Sequence, residues 1–143
     1  MMSGWAKEGP TTKKGYRQLI DAAEAQIQTL PLADAVGLHG REDVVFVDLR
    51  DRRELEREGR VPGAFHCPRG LLDFWIDPDS PYHKPVFAEK KRFVFYCGSG
   101  WRSALATLAA QEMGLEPVCH VAGGFSGWKK AGHPTEAVVA RAG

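Results

Sequence analysis

The sequence predicts an α/β fold: a five-stranded parallel sheet flanked by helices on both faces, with an extra N-terminal helix. Two apolar runs carry most of that expectation. Val44-Val45-Phe46-Val47-Asp48 and Phe93-Val94-Phe95-Tyr96 lack the polar alternation of half-exposed strands, so each suits a strand buried on both faces. Helix-period segments fall between the strand-like ones, an alternation that calls for parallel strands joined by right-handed crossovers. The 143 residues are enough for one domain with a single core.

Residues 1–14 are polar and marked by Gly and Pro, and are expected to form a flexible lead. From 16 to 27 the pattern is helical, with Tyr16, Leu19, Ile20, Ala23 and Ile27 on one face. That face either packs on the outside of the sheet or meets a second copy in a homodimer. Thr29-Leu30 reads as a short first strand and Leu32 to Leu38 as a short helix. The second strand, Val44 to Asp48, is rich in β-branched residues. Asp51 to Glu58 is a charged helix stopped by Gly59, its mixed-sign charges forming a solvated face. Ala64 to Cys67 is a short strand, and Pro62 and Pro68 on either side of it suit a sheet edge.

The segment from Pro68 to Lys91 is longer than a simple connection, with helical turns at Leu71 to Ile76 and a proline-rich stretch after them. Long loops in compact domains are often functional. This one either lies over the Cys97 pocket, carrying Arg69, Trp75 or Tyr82 toward it, or simply covers the sheet. The fourth strand, Phe93 to Tyr96, is followed by an Ala/Leu helix from Ser103 to Met113 that Gly114 ends. Val118 to Val121 is the fifth strand, Gly124 to Ala131 a last helix with Trp128 turned inward, and 135–143 a loose tail. The folded domain is thus expected over 15–134.

Cys97 is the chemically loaded residue. A buried strand delivers it into Gly98-Ser99-Gly100-Trp101-Arg102-Ser103, where a helix begins. The two glycines let successive amide N–H groups point into one cavity. The unpaired N–H groups of the helix start point at the same space and favour an anion there. Helix N-termini and cationic neighbours lower a thiol's pKa from about 8.5 to roughly 3.5–7.5. Arg102 adds a permanent charge that either attracts an oxyanion or pairs with a carboxylate to stiffen the loop. Trp101 is bulky for such a loop, and either narrows the pocket or offers a docking surface. In parallel sheets, sites form at the carboxyl ends of strands, where Cys97 stands.

The chain resembles the single-domain rhodaneses, the thiosulfate sulfurtransferase family. Cys97, Gly100, Arg102 and Ser103 match the family's loop pattern. Val47-Asp48-Leu49-Arg50, Gly59-Arg60-Val61-Pro62-Gly63-Ala64 and Gly123-Gly124-Phe125-Ser126-Gly127-Trp128 resemble three further signatures in the same order. The resemblance runs from about Thr29 to Pro134. It implies that Cys97 takes a sulfane sulfur from thiosulfate or another persulfide donor, holds it as a persulfide, and passes it to a thiol or protein acceptor. Gly98, Ser99, Gly100, Trp101, Arg102 and Ser103 would then bind the small anionic donor, and Asp48 and Arg50 would be scaffold. Four residues separate Cys97 from Arg102. Cysteine-dependent phosphatases use a longer loop, with room for a tetrahedral phosphate, and usually place His where this chain has Tyr96. A phosphatase or arsenate reductase therefore ranks below sulfur transfer. A non-catalytic binding or regulatory module is the remaining alternative, and Cys97 with its full loop counts against it.

Other features exclude more than they assign. A net charge of +1 gives no reason to invoke nucleic acid or an anionic membrane. No apolar stretch approaches the roughly 20 residues that span a bilayer, and residues 1–8 lack the apolar core of a signal peptide. Three cysteines, an odd number, fit a reducing compartment, so a cytoplasmic location is expected. His66-Cys67 and Cys119-His120 look like metal ligands, but strand neighbours point to opposite faces and no further ligand completes a set. No metal or other cofactor is expected. Cys67 reads as a buried apolar residue, with a resolving thiol for a Cys97 persulfide as the lesser reading.

Overall fold

The computed structural model describes residues 13–141. Its helices are α1 (Tyr16–Glu24), α2 (Leu32–Leu38), α3 (Arg52–Glu58), α4 (Leu72–Ile76), α5 (Trp101–Glu112) and α6 (Gly124–Lys130). The strands are β1 (Gln28–Leu30), β2 (Val44–Asp48), β3 (Phe65–His66), β4 (Arg92–Tyr96) and β5 (Val118–Val121). They form one parallel sheet in the order β1-β5-β4-β2-β3, which puts β3 at an edge as its flanking prolines require.

Successive side chains of the central strands enter two separate cores. Val47, Phe93, Phe95 and Val118 pack with α4 and α5 through Leu72, Ile76, Ala106 and Ala110. Phe46, Val94, Tyr96, Cys119 and Val121 pack on the other face with α6 through Phe125 and Trp128, and with α2 through Leu32 and Val36. The unbroken apolar runs follow from this arrangement, because both faces of each strand need apolar cover. The extra helix α1 packs against α5 and buries Ile20 and Ala23, while Tyr16 and Leu19 stay half exposed.

Several boundaries differ from expectation for local reasons. Helix α1 stops at Glu24, short of Ile27, because the chain must turn through 25–27 to begin β1 at Gln28. Helix α5 begins two residues early, at Trp101, because Gly100 takes φ +110° and lets the chain bend straight from the loop into the helix. Helix α3 is held by a capping box: the Asp51 carboxylate accepts from the amides of Arg53 and Glu54, and Glu54 returns a bond to the Asp51 amide.

The long 68–91 segment covers the sheet, with Leu72, Ile76 and Phe87 in the same core cluster as Phe93, Phe95 and Cys97. Phe87 stacks on Phe93 with centroids 5.6 Å apart and meets Phe65 edge-on at 5.8 Å, with Trp75 beside Phe65 at 6.0 Å. Arg69 pairs with Asp73 of its own helical turn, and Tyr82 is exposed. Of the two roles expected for this segment, the contacts of Phe87, Trp75 and Arg69 are those of a cover for the sheet. Residues 135–141, the described part of the tail expected to be loose over 135–143, are anchored through Glu136, next to a tie at Pro134. Arg60 and Glu136 exchange backbone hydrogen bonds of 2.9 Å, the Glu136 carboxylate accepts from Arg60 Nε at 2.7 Å, and Trp128 Nε1 donates to the Pro134 carbonyl at 2.6 Å. Nearly all of the expected N-terminal lead, residues 1–12, lies outside the described residues. Among the described residues no helix is long and apolar enough to cross a membrane.

Candidate active site

Strand β4 ends at Tyr96, and the next residue, Cys97, is 1% exposed. The amides of Gly100 and Ser103 donate to its sulfur at 3.2 and 3.3 Å, and the Ser103 hydroxyl lies 3.5 Å away. Two N–H dipoles on one sulfur, at the start of a 12-residue helix, form a setting for negative charge.

The paired glycines seen in the sequence hold this loop in place from below. Phe125 N donates to the Cys97 carbonyl at 2.8 Å and Ser126 N to the Gly98 carbonyl at 3.0 Å, so the first turn of α6 is fastened to the loop backbone. Gly124 sits between them at φ +57°, where a Cβ would come within 2.6 Å of the Cys97 carbonyl oxygen. No other residue fits there without moving the loop.

Arg102 takes the second of its two expected roles. Its guanidinium makes a bidentate pair with Glu54, at 2.6 and 3.0 Å, and lies against Gly98. These hydrogen bonds hold the Glu54 carboxyl down to about 2, against its partial burial, and Glu54 in turn raises Arg102. The pair ties the start of α5 to the start of α3.

Asp48 and Arg50 are fully buried and bonded at 2.7 and 3.0 Å, with the guanidinium 4.2 Å from the centroid of the Phe125 ring. Arg50 also donates to Glu58 at 3.2 Å and to the Gly59 carbonyl at 2.8 Å. The neighbouring Tyr96 hydroxyl accepts from Val61 N at 3.1 Å; burial, reinforced by the Asp48 charge, pushes its phenol upward. All three Arg50 side-chain nitrogens donate to groups of the protein, as the scaffold role expected for Asp48 and Arg50 requires.

On the other side of the loop, α1 forms one wall of a pocket of about 310 Å³. Arg17, Asp21 and Glu24 line it from α1, facing Ser99, Gly100 and Trp101 of the loop, with Thr29 and His120 beneath. Trp101 is half exposed and tucks its ring against Tyr16, centroids 4.8 Å apart, with Arg17 over it at 5.9 Å. Its ring lines this pocket and leaves half of its surface open. A larger groove, about 560 Å³, lies at Leu71, Phe74, Trp75 and Tyr82, but it contains none of the loop residues.

Sequence reading missed His120 as part of the site. The ring is 1% exposed; its Nδ1 lies 2.9 Å from Ser103 Oγ and its Nε2 lies 3.0 Å from Thr29 Oγ1. Burial brings its pKa down to about 4, so the ring is neutral near pH 7. The strand alternation that set His120 opposite Cys119 also aimed it at α5, which was the available signal. Glu54 was likewise read only as part of a solvated face. Cys67 and Cys119 sit in opposite cores, and burial pushes their thiols up to about 12 and about 11. That leaves Cys67 protonated near neutral pH, a poor resolving nucleophile. Among the described residues, no group of three or more His, Cys, Asp or Glu side chains is arranged to hold a metal.

The sheet presents a buried cysteine in an amide-lined loop at the carboxyl end of its central strand, where parallel α/β sheets hold their sites. Residues 32–131 match the Rhodanese-like domain, and the chain belongs to that family. A thiosulfate sulfurtransferase of Actinobacillus succinogenes is 36% identical over 95 residues, which cover 66% of this chain and 78% of that protein. A solved structure from Rhodopseudomonas palustris, of a protein of unknown function designated a possible tyrosine phosphatase, superposes with a TM-score of 0.87. It is 56% identical, over 89% of this chain and 98% of that one. The polysulfide-sulfur transferase homodimer of Wolinella succinogenes gives a TM-score of 0.65 at 27% identity, over 86% and 88% of the two chains. Against other curated relatives the chain spans about half the length, 50% of a Synechocystis protein and 58% of a mouse one.

Proposed function

We propose that the protein is a sulfurtransferase that moves a sulfane sulfur through a persulfide on Cys97. The observation that carries this reading is the Cys97 sulfur under the amides of Gly100 and Ser103, in a loop with four residues between Cys97 and Arg102. The Cys97 thiolate attacks the outer sulfur of thiosulfate or of another persulfide donor. A new S–S bond forms, and the donor's old bond breaks with its electron pair leaving on sulfite or on the donor thiolate. The added sulfur sits among the amides from Gly98 to Ser103, which stabilise its charge. A thiol or protein acceptor then attacks that sulfur, and the Cys97 sulfur leaves with the electron pair of the broken bond. The homodimer of the Wolinella relative makes self-association a further part of this reading, with the half-exposed Tyr16 and Leu19 on α1 as the candidate contact.

A second reading, phosphate-ester hydrolysis, draws on the designation of the R. palustris structure. The short loop and the Arg102–Glu54 pair speak against it, because a phosphate dianion needs both the wider ring and a free guanidinium. Mass spectrometry after thiosulfate treatment separates the readings. A gain of one sulfur that is lost in Cys97→Ala supports transfer. Turnover of an aryl phosphate that depends on Cys97, with no persulfide from any donor, supports the phosphatase. Neither result supports a binding module.

A further inference from the structure

The Cys97 sulfur is joined to the α1 pocket by an unbroken line of polar atoms. Ser103 Oγ lies 3.5 Å from the sulfur, His120 Nδ1 lies 2.9 Å from that oxygen, and Thr29 Oγ1 lies 3.0 Å from His120 Nε2. Ser103 and His120 are at most 1% exposed, whereas Thr29 is exposed and lines the pocket. Each of the three side chains can both donate and accept, the imidazole by exchanging tautomers. We propose that Ser103, His120 and Thr29 form a proton relay between the α1 pocket and Cys97, and that the pocket receives a neutral thiol as the sulfur acceptor. The inference rests on the sulfurtransferase reading and names its acceptor class.

The direction of every hydrogen bond in the line reverses when one proton crosses it. With a persulfide on Cys97, Ser103 donates toward the sulfur, His120 Nδ1–H donates to Ser103, and Thr29 donates to Nε2. An acceptor thiol R–SH in the pocket attacks the outer sulfur, forming the R–S–S bond and breaking the bond to Cys97. Its proton passes to Thr29 Oγ1, the Thr29 proton to Nε2, the Nδ1 proton to Ser103, and the Ser103 proton to the departing Cys97 sulfur. The products are R–S–S⁻ and the Cys97 thiol: the negative charge stays on the transferred sulfur, the one proton of R–SH ends on Cys97, and no oxidant is consumed. His120 gains and loses a proton in the same event, so it never rests as an imidazolium. Burial supports that route, since it holds the ring neutral well below pH 7. The charged groups of the pocket, Arg17, Asp21 and Glu24, stand on α1 at its mouth.

An acceptor that carries no proton has no use for the line, and the test exploits this. The full chain is loaded with thiosulfate, and the Cys97 persulfide is followed by quenched intact mass while it is drained by 2-mercaptoethanol or by sulfite above pH 8. His120→Asn keeps an amide able to bond Ser103 but cannot exchange tautomers. It should slow the thiol drain about tenfold relative to the sulfite drain, in the lower part of the range for positioned proton transfer. A solvent deuterium effect on the thiol drain should be present in the wild type and lost in the variant. Thr29→Val, at an exposed site, should shift the same ratio without touching the core, and decides the matter if His120→Asn does not fold. Equal slowing of both drains, or of neither, overturns the relay. Failure of the wild type to load a sulfur with any donor overturns the sulfurtransferase reading instead, and the relay with it.

Discussion

Two polar clusters flank the Cys97 loop, one from each face of the sheet, and they handle charge in opposite ways. The Asp48–Arg50 cluster is ionic, and aromatic rings, a carboxylate and backbone groups enclose it. The Ser103–His120–Thr29 line is neutral, and one end opens into a pocket. A buried ion pair costs several kcal/mol of desolvation per charge and is kept only with its partners in place. A neutral chain can reverse its donors without that cost. The closed cluster therefore fixes the loop's position, and the open one is free to respond to what the loop holds.

Removing one charge from the closed cluster should have the largest effect. Asp48→Ala strands the Arg50 guanidinium in the core and should cost roughly 3–5 kcal/mol of stability, read by urea unfolding. Unchanged stability would mean that Arg50 finds another partner. Gly124→Ala tests whether the loop depends on the turn beneath it. Its Cβ meets the Cys97 carbonyl at 2.6 Å and its φ is +57°, so a loss of about 3 kcal/mol is expected, with slower persulfide loading.

The neutral line should reveal itself through pH. His120 has its pKa lowered to about 4 from an ordinary 6.5, so the unfolded chain takes up its proton first. The stability is complete above pH 6.5 and is lost as the pH falls toward 4, by on the order of 3 kcal/mol. His120→Phe should flatten that stretch of the stability profile. An equally steep wild-type and variant profile would assign the loss to another group.

The Arg102–Glu54 pair should contribute least, because the Arg102 side chain is 44% exposed. Glu54→Gln should cost under about 1 kcal/mol. With Glu54 held down to about 2, that difference is present above pH 4.5 and vanishes as the pH falls toward 2. The same variant frees Arg102, and the KM for thiosulfate should fall severalfold. A rise would show that the pair itself holds the loop in its working shape.

What could be read beforehand follows from which signals are local. The strands were legible because β2 and β4 need apolar residues on both faces, and the Cys97 loop because its glycines, arginine and helix start lie within seven residues. The helix over 16–27 was legible as a helix but not as a pocket wall, since its partner Trp101 lies 85 residues from Tyr16. Glu54 and His120 escaped for the same reason. Each meets the loop through a contact 48 or 17 residues distant, and neither changes the local pattern around it. The length of the 68–91 segment does not choose between a lid and a cover, whereas Phe87 and Trp75 within it call for an apolar surface to pack on.

The fastening of α6 to the loop also governs how this site can change in evolution. Because the carbonyls of Cys97 and Gly98 are both held by α6 amides, the first half of the loop cannot grow. An inserted residue between Cys97 and Gly98 would slide one carbonyl off its partner and unseat the helix. The same insertion between Ser99 and Gly100 would leave both of those bonds in place and displace the Gly100 amide from the sulfur. A wider ring is thus easier to reach by lengthening the loop after Ser99, where the seat of α6 is untouched and only the cradle of the sulfur is rebuilt.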